Sequence, residues 1–345
     1  MGSVSYVNGE VGVAPGFAVV REIGVHQGGV SGIAASADGG RVMVTNCGDD
    51  SVSSIDTRSG ALVRTVVGID EPFAIAIAAN RAYVSTVSRA YDAILVLDVD
   101  TNRVVAVHPV AESVRDLAAS PDGGRVYAAR TAVGGADVAV LDTRTGRLDE
   151  ITIAATSGTV AECVRVSSDG RRLYVATNSA AGGTLAVVDT EQRRVVDTIE
   201  IASPIRDIAL SPNGGTAYVA SCGPDFGTVL DVVDTHTNAV VSTHKIAEIG
   251  GPVTQLTLSR DGQRAYLVGD ESVTVLRTGT HEVVGAINVG RQPSCVIENP
   301  HGNSLYIGDY AGAVTVVSVD VADDEPTAQH EWTMPELFRL EPALT

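Results

Sequence analysis

Large aromatic side chains are scarce in this chain, whose 345 residues include four Phe, nine Tyr and one Trp. A core without bulky rings has to be filled by the close approach of segments rich in Ala, Val and Gly. Basic residues are also few, 24 Lys and Arg against 42 Asp and Glu, for a net charge of −18. This acidic balance excludes a broad phosphate-binding surface, which needs clustered cations to displace counterions, so no nucleic-acid partner is expected. The four cysteines, Cys47, Cys163, Cys222 and Cys295, have no C-x-x-C spacing and outline neither a zinc ribbon nor a disulfide framework. No apolar run reaches membrane-spanning length, and the opening Met1-Gly2-Ser3-Val4-Ser5-Tyr6 has neither a basic nor an apolar signal region. A soluble, cytoplasmic protein with no membrane partner is expected.

What the chain has instead is one phrase repeated seven times: an apolar strand, a Ser-Pro-Asp-Gly-like turn, and a strand with a Tyr-Val-like centre. Clear copies are Ala118-Ala119-Ser120-Pro121-Asp122-Gly123 leading to Tyr127, and Val166-Ser167-Ser168-Asp169-Gly170 leading to Tyr174-Val175-Ala176-Thr177. With Met43 as the first Tyr equivalent, Tyr83, Tyr127, Tyr174, Tyr218, Tyr266 and Tyr306 follow at steps of 40, 44, 47, 44, 48 and 40 residues. A period in this range belongs to a propeller or a solenoid. Within each repeat the β-branched segments alternate with Asp-Gly, Asn-Gly and Asp-Thr turns and no helical period competes, which gives four short antiparallel strands per repeat. Four strands make a propeller blade.

The last repeat supplies only three strands, ending at Ala313 to Val319. Its missing fourth strand is matched by an orphan at the start of the chain, Phe17 to Val25, which would close the ring and cover the open strand edges. The expected architecture is all-β: a seven-bladed β-propeller of four-stranded antiparallel blades over residues 17–321, latched by the N-terminal strand. Residues 1–16 form an extension. Residues 322–345 are expected to be a tail that holds the sole Trp, in which Thr333 could cap a short helix starting near Pro335, packed across the propeller's flank or, alternatively, docked on another chain.

The Tyr-Val-Thr-Asn-like strands, the Ser-Pro-Asp-Gly turns and turns such as Asp234-Thr235-His236-Thr237-Asn238 resemble the YVTN-repeat β-propeller family, relatives of the seven-bladed lactonase-like propellers. The resemblance spans about residues 17–320. It implies fold rather than reaction, because members of that family share no common chemistry.

In a propeller the first strand of each blade lines the central channel. Aligning the repeats places Ser31, Phe73, Arg115, Glu162, Arg206, Thr254 and Ser294 at one ring level, and Gly32, Ala74, Asp116, Cys163, Asp207, Gln255 and Cys295 at the next. Charges on strands otherwise made of Ala, Val, Ile and Leu demand pairing or hydration. They are either a brace around a watery channel or an anion-binding floor in which Glu162 could act as acid or base. An arc of Arg115, Glu162 and Arg206 facing the axis is expected. The loops above this floor add Arg89, Tyr91, Arg130, Phe226, Arg291, Tyr310 and His26 as candidate ligand-binding residues. The same loops carry Asp49, Asp92, Asp225, Asp270 and Asp309, enough oxygen ligands to raise a calcium-like cation as an alternative, although no loop has EF-hand spacing and turns favour Asp on conformational grounds. No cofactor is otherwise implied. The cysteines would lie near one mouth, as Cys163 beside Cys222 and Cys295 beside Cys47, or simply as small buried hydrophobes. The seven histidines show no H-E-x-x-H pattern and no Ser-His-Asp order.

Two functions remain open at this level. One is a binding module that recognises a small molecule or a protein at the loop-rich mouth. The other, which the lactonase-like resemblance implies, is an enzyme such as a lactone hydrolase, lyase or isomerase with its active site in that mouth.

Overall fold

The computed structural model describes residues 14–25, 28–111, 113–223, 227–249 and 251–320. Within them the chain forms seven sheets of four antiparallel strands, and the one helical element is a short 3-10 turn at Cys47–Asp49. Six sheets are built from consecutive strands. The seventh takes Phe17–Gly24 as its outer strand against Ala313–Val319. The orphan strand is thus the latch that the repeat count requires, one residue shorter than its apolar pattern suggests. It is fastened by more than backbone pairing, since Phe17 meets Tyr266 of blade 6 edge-on at 6.2 Å and lies under the Arg264 guanidinium. The proposed tail helix and nearly all of the N-terminal extension lie outside the described residues. Of that extension, Ala14 donates its N–H to Ala286 O at 3.0 Å and is buried.

The repeated turns hold their shape by local hydrogen bonding. In blade 3, Ser120 Oγ donates to Asp122 Oδ1 at 2.6 Å, and the same carboxylate accepts Gly124 N–H. Gly123 sits at φ +69, a conformation that glycine adopts without a Cβ clash. The second turn is an Asx turn: Asp98 Oδ1 accepts both Thr101 N–H and its hydroxyl, and the carboxyl is thereby held down at about 2. Asp56 does the same for Ser59 and is likewise held at about 2.

Packing between blades uses small residues, as the composition requires. Ala74, Ala76 and Ala78 of blade 2 meet Val126, Ala128 and Leu141 of blade 3 in one buried cluster, and similar clusters join neighbouring blades around the ring. Each fully buried Val, Ile or Leu contributes about 1.5–3 kcal/mol. The central Tyr of three repeats faces a Thr side chain of the following blade, Tyr83 toward Thr143, Tyr174 toward Thr235 and Tyr218 toward Thr278. Among the described residues no helix is long and apolar enough to cross a membrane.

Candidate functional site

The innermost strands are Val30–Ala35, Ile75–Ala78, Ser113–Ala119, Val160–Val166, Ile205–Leu210, Gln255–Leu258 and Pro293–Glu298, blades 1 to 7 in order. In a regular strand, adjacent side chains point to opposite faces, so two consecutive residues could not both line the channel. Five of these strands break the rule with a register shift at their start, between Val30 and Gly32, Val114 and Asp116, Ala161 and Cys163, Ile205 and Asp207, and Pro293 and Cys295. The skipped residues are Ser31, Arg115, Glu162, Arg206 and Ser294. Each bulge re-aims its extra side chain, and the result is a mouth cavity of about 200 Å³ lined by all fourteen residues of the two aligned ring levels, with Ile33, Ile75 and Arg165.

The lower level acts as a clasp between blades. Asp116 Oδ2 accepts the N–H of Val164 on blade 4 at 2.9 Å, Asp207 Oδ2 accepts Leu256 N–H on blade 6 at 2.8 Å, and Gln255 Oε1 accepts Val296 N–H on blade 7 at 2.6 Å. Each satisfies a backbone donor that the neighbouring edge strand would otherwise bury unpaired. Where blade 1 meets blade 2 the approach is closer still. A Cβ on Gly32 would lie 2.6 Å from Phe73 O, so only glycine fits, and Thr45 Oγ1 donates to that carbonyl at 2.7 Å.

At the centre stands Arg165, a residue not picked out from the sequence. Its Nη1 donates to Asp116 Oδ2 and its Nη2 to Asp207 Oδ1, both at 2.5 Å, while Nε donates to Ile208 O at 2.8 Å and Nη1 also to Val164 O at 2.7 Å. Burial alone would lower the pKa of this guanidinium, but the charges of Asp207 and Asp116 outweigh it and hold the group above its ordinary value. Burial raises the Asp207 carboxyl, with Arg165 working against it. The sequence does hold a signal for Arg165. The aligned positions on the other blades are Ala34, Ala76, Ala118, Ala209, Thr257 and Ile297, so one long cation stands in a column of small or apolar residues that leave it room. Arg165 roofs a second, more open cavity of about 490 Å³ on the far side of the channel, and it lines both.

The upper level differs from the expected arc. Glu162 Oε2 lies 3.5 Å from Arg115 Nη2, but its other oxygen accepts Asn178 Nδ2 at 3.1 Å instead of reaching Arg206. Asn178 is held there by exchanging two hydrogen bonds with the Ile205 backbone, which places its amide between Glu162 and blade 5. Among the described residues Arg206 makes no ion pair or side-chain hydrogen bond, and it is exposed in the mouth.

Arg130 departs from its expected position at the mouth. It is 6% exposed and clamped across its own blade, Nε to Asp137 Oδ1 at 2.7 Å and Nη2 to Glu150 Oε2 at 2.8 Å, because the cross-strand register sets Arg130 opposite Asp137. Arg89, Tyr91 and Tyr310 are exposed on the rim outside the 200 Å³ cavity, and Arg291 pairs with Glu22 of the latch strand at 3.6 Å. His26, Phe226 and Asp225 lie outside the described residues. The rim carboxylates serve turns: Asp49 Oδ2 accepts Gly28 N–H at 2.6 Å, and Asp309 Oδ1 accepts Ala311 and Ala313 N–H. Among the described residues no group of three or more His, Cys, Asp or Glu is placed to hold a metal ion. All four cysteines are free thiols. Burial pushes Cys295 up to about 12 and Cys163 well above its usual value, so neither supplies a thiolate at neutral pH.

Comparison with known proteins agrees with this architecture. Residues 129–291 match the lipoprotein LpqB beta-propeller domain family. The hydrazine synthase of Kuenenia stuttgartiensis superposes with a TM-score of 0.75 over 92% of this chain and 100% of its own at 18% identity, a likeness of fold alone. The seven-bladed beta-propeller protein Rv1057 of Mycobacterium tuberculosis strain H37Rv is 49% identical over 97% of this chain and 95% of its own length. With its seven four-stranded blades and that degree of identity, the chain belongs to the family of the seven-bladed beta-propeller protein Rv1057.

Proposed function

We propose that this protein is a binding module that takes a small molecule in the 200 Å³ mouth cavity. The observation that carries the reading is Arg206: a bulge aims it into a cavity to which all seven blades contribute, and the described chain gives it no partner. A brace would be paired, as Arg165 and Arg130 are. Enclosure by many elements with a few convergent polar groups is the usual form of a ligand site. The chemistry of the lining favours recognition over turnover. Asp116 and Asp207 are fully engaged by backbone amides and Arg165, and Glu162 is engaged by Arg115 and Asn178. Burial raises the pKa of the lining thiols Cys163 and Cys295, and no nucleophile stands beside a free base among the described lining residues. A finer kinship with the YVTN-repeat and lactonase-like propellers belongs to the same proposal, supported by the Tyr strands and the two recurring turns.

A thermal-shift screen of a metabolite library tests this. Stabilising hits are expected to be lost in Arg206→Glu and Phe73→Ser and kept in Arg58→Glu and Arg144→Glu, which alter exposed turns on the opposite face. Hits that disappear only with the opposite-face changes would refute the assignment of the mouth.

A further inference from the structure

Around the ring, the lining of the mouth cavity is divided in two. Its charged side chains, Arg115, Asp116, Glu162, Arg165, Arg206 and Asp207, all stand on blades 3, 4 and 5. Blades 1, 2, 6 and 7 contribute no charge to the lining, and their most prominent group is Phe73, 41% exposed. Within the charged half, acids and bases are unequally occupied. Both oxygens of Asp116, Asp207 and Glu162 accept hydrogen bonds from the protein. Arg206 has no partner among the described residues, and Arg115 is half-exposed with a single contact at 3.5 Å. A cation entering the mouth therefore meets carboxylates already satisfied. An anion meets a guanidinium with all its donors available, whose fork can grip two oxygens of a carboxylate or phosphate at once.

We infer that the ligand is a small organic anion with an apolar body, its carboxylate or phosphate group held by Arg206 with Arg115 and its hydrocarbon part laid against Phe73. This rests on the reading of the mouth as a ligand site and adds the chemical class. The volume of about 200 Å³ limits the ligand to a compact metabolite. The net charge of −18 would repel anions from most of the surface, so binding should weaken less with salt than a basic patch would, because attraction is confined to the mouth.

Calorimetric titration of the full chain tests the inference with benzoate, hexanoate and phenyl phosphate, with the neutral counterparts benzamide, hexanamide and phenol, and with benzylammonium and inorganic phosphate. At least one organic anion should bind about tenfold or more tightly than its neutral counterpart, and Arg206→Ala should reduce its affinity about tenfold with the melting temperature unchanged. Preference for benzoate or for phenyl phosphate identifies the head group, and Phe73→Ala should weaken both. Inorganic phosphate binding as well as phenyl phosphate would overturn the apolar half. Neutral probes binding equally well, with loss in Phe73→Ala and none in Arg206→Ala, would overturn the anion class while keeping the mouth as the site. No binding by any anion would also overturn the class, and the library screen above then decides separately whether the mouth is a site.

Discussion

Arg165 Nη2 lies 2.5 Å from Asp207 Oδ1, on a neighbouring blade, and the Asp207 side chain is only 5% exposed. The same guanidinium reaches Asp116 on the blade before, so one cation ties three consecutive blades together at the channel axis. Desolvating charge is costly, and such a bridge persists because every oxygen and most donors are satisfied by backbone as well as by one another. It occupies the midpoint of the channel, where it separates the mouth cavity from the larger chamber beyond.

Arg165→Met should therefore be strongly destabilising, by about 3–5 kcal/mol, because it leaves two neighbouring carboxylates without their cation. The loss should shrink in acid. With Arg165 gone, the folded-state pKa of Asp207 rises further above its unfolded value, so its contribution is intact below the unfolded value and is lost as pH rises through the folded one. Melting curves at pH 4.5 and pH 7.5 check this, and an equal deficit at both would show that the bridge is not what Arg165 provides. The triple variant Asp116→Asn, Arg165→Met, Asp207→Asn should recover part of the stability at neutral pH.

The Asx-turn carboxylates carry the opposite sign. Asp56 and Asp98 are held down at about 2 by the N–H and hydroxyl groups of Ser59 and Thr101. Their contribution is complete above the unfolded value of about 3.9 and fades as pH falls toward 2. Asp56→Ala with Asp98→Ala should melt several degrees below the parent at pH 7, and the two curves should converge near pH 2. Curves that stay equally far apart would assign the turns' stability to something other than these charges.

Removal of residues 1–25 strips the outer strand from the Ala313–Val319 edge and takes Phe17 from Tyr266. The truncated chain should melt earlier and associate through the exposed edge. Scattering and calorimetry on the deletion check this; a monodisperse sample with an unchanged melting temperature would mean that the ring closes without its latch.

The period, the turns and the count of blades were legible in the sequence because they rest on short-range chemistry. A Ser-x-Asp-Gly turn is fixed within six residues, and strand alternation within a few more, so each repeat announces itself locally. Even the latch followed from counting, as three strands at one end and one at the other fit only one closed ring. The two ring levels around Arg115 and Asp116 were also found by alignment, since a repeat places equivalent positions at equivalent heights.

Tertiary structure alone decided what those positions do. The bulges that turn both Arg206 and Asp207 toward the channel are departures from strand regularity that alternation cannot reveal. Asp116 meets Arg165 across 49 residues and Asp207 meets Leu256 across another 49, so whether a carboxylate is satisfied or free depends on partners one blade away. Glu162 turns to Asn178 rather than Arg206 because Asn178 is pinned by the Ile205 backbone, a contact between strands of adjacent blades. Sequence set the heights of the charged residues because backbone periodicity is local; pairing among them was settled only when the ring closed and brought neighbouring edges within hydrogen-bonding distance.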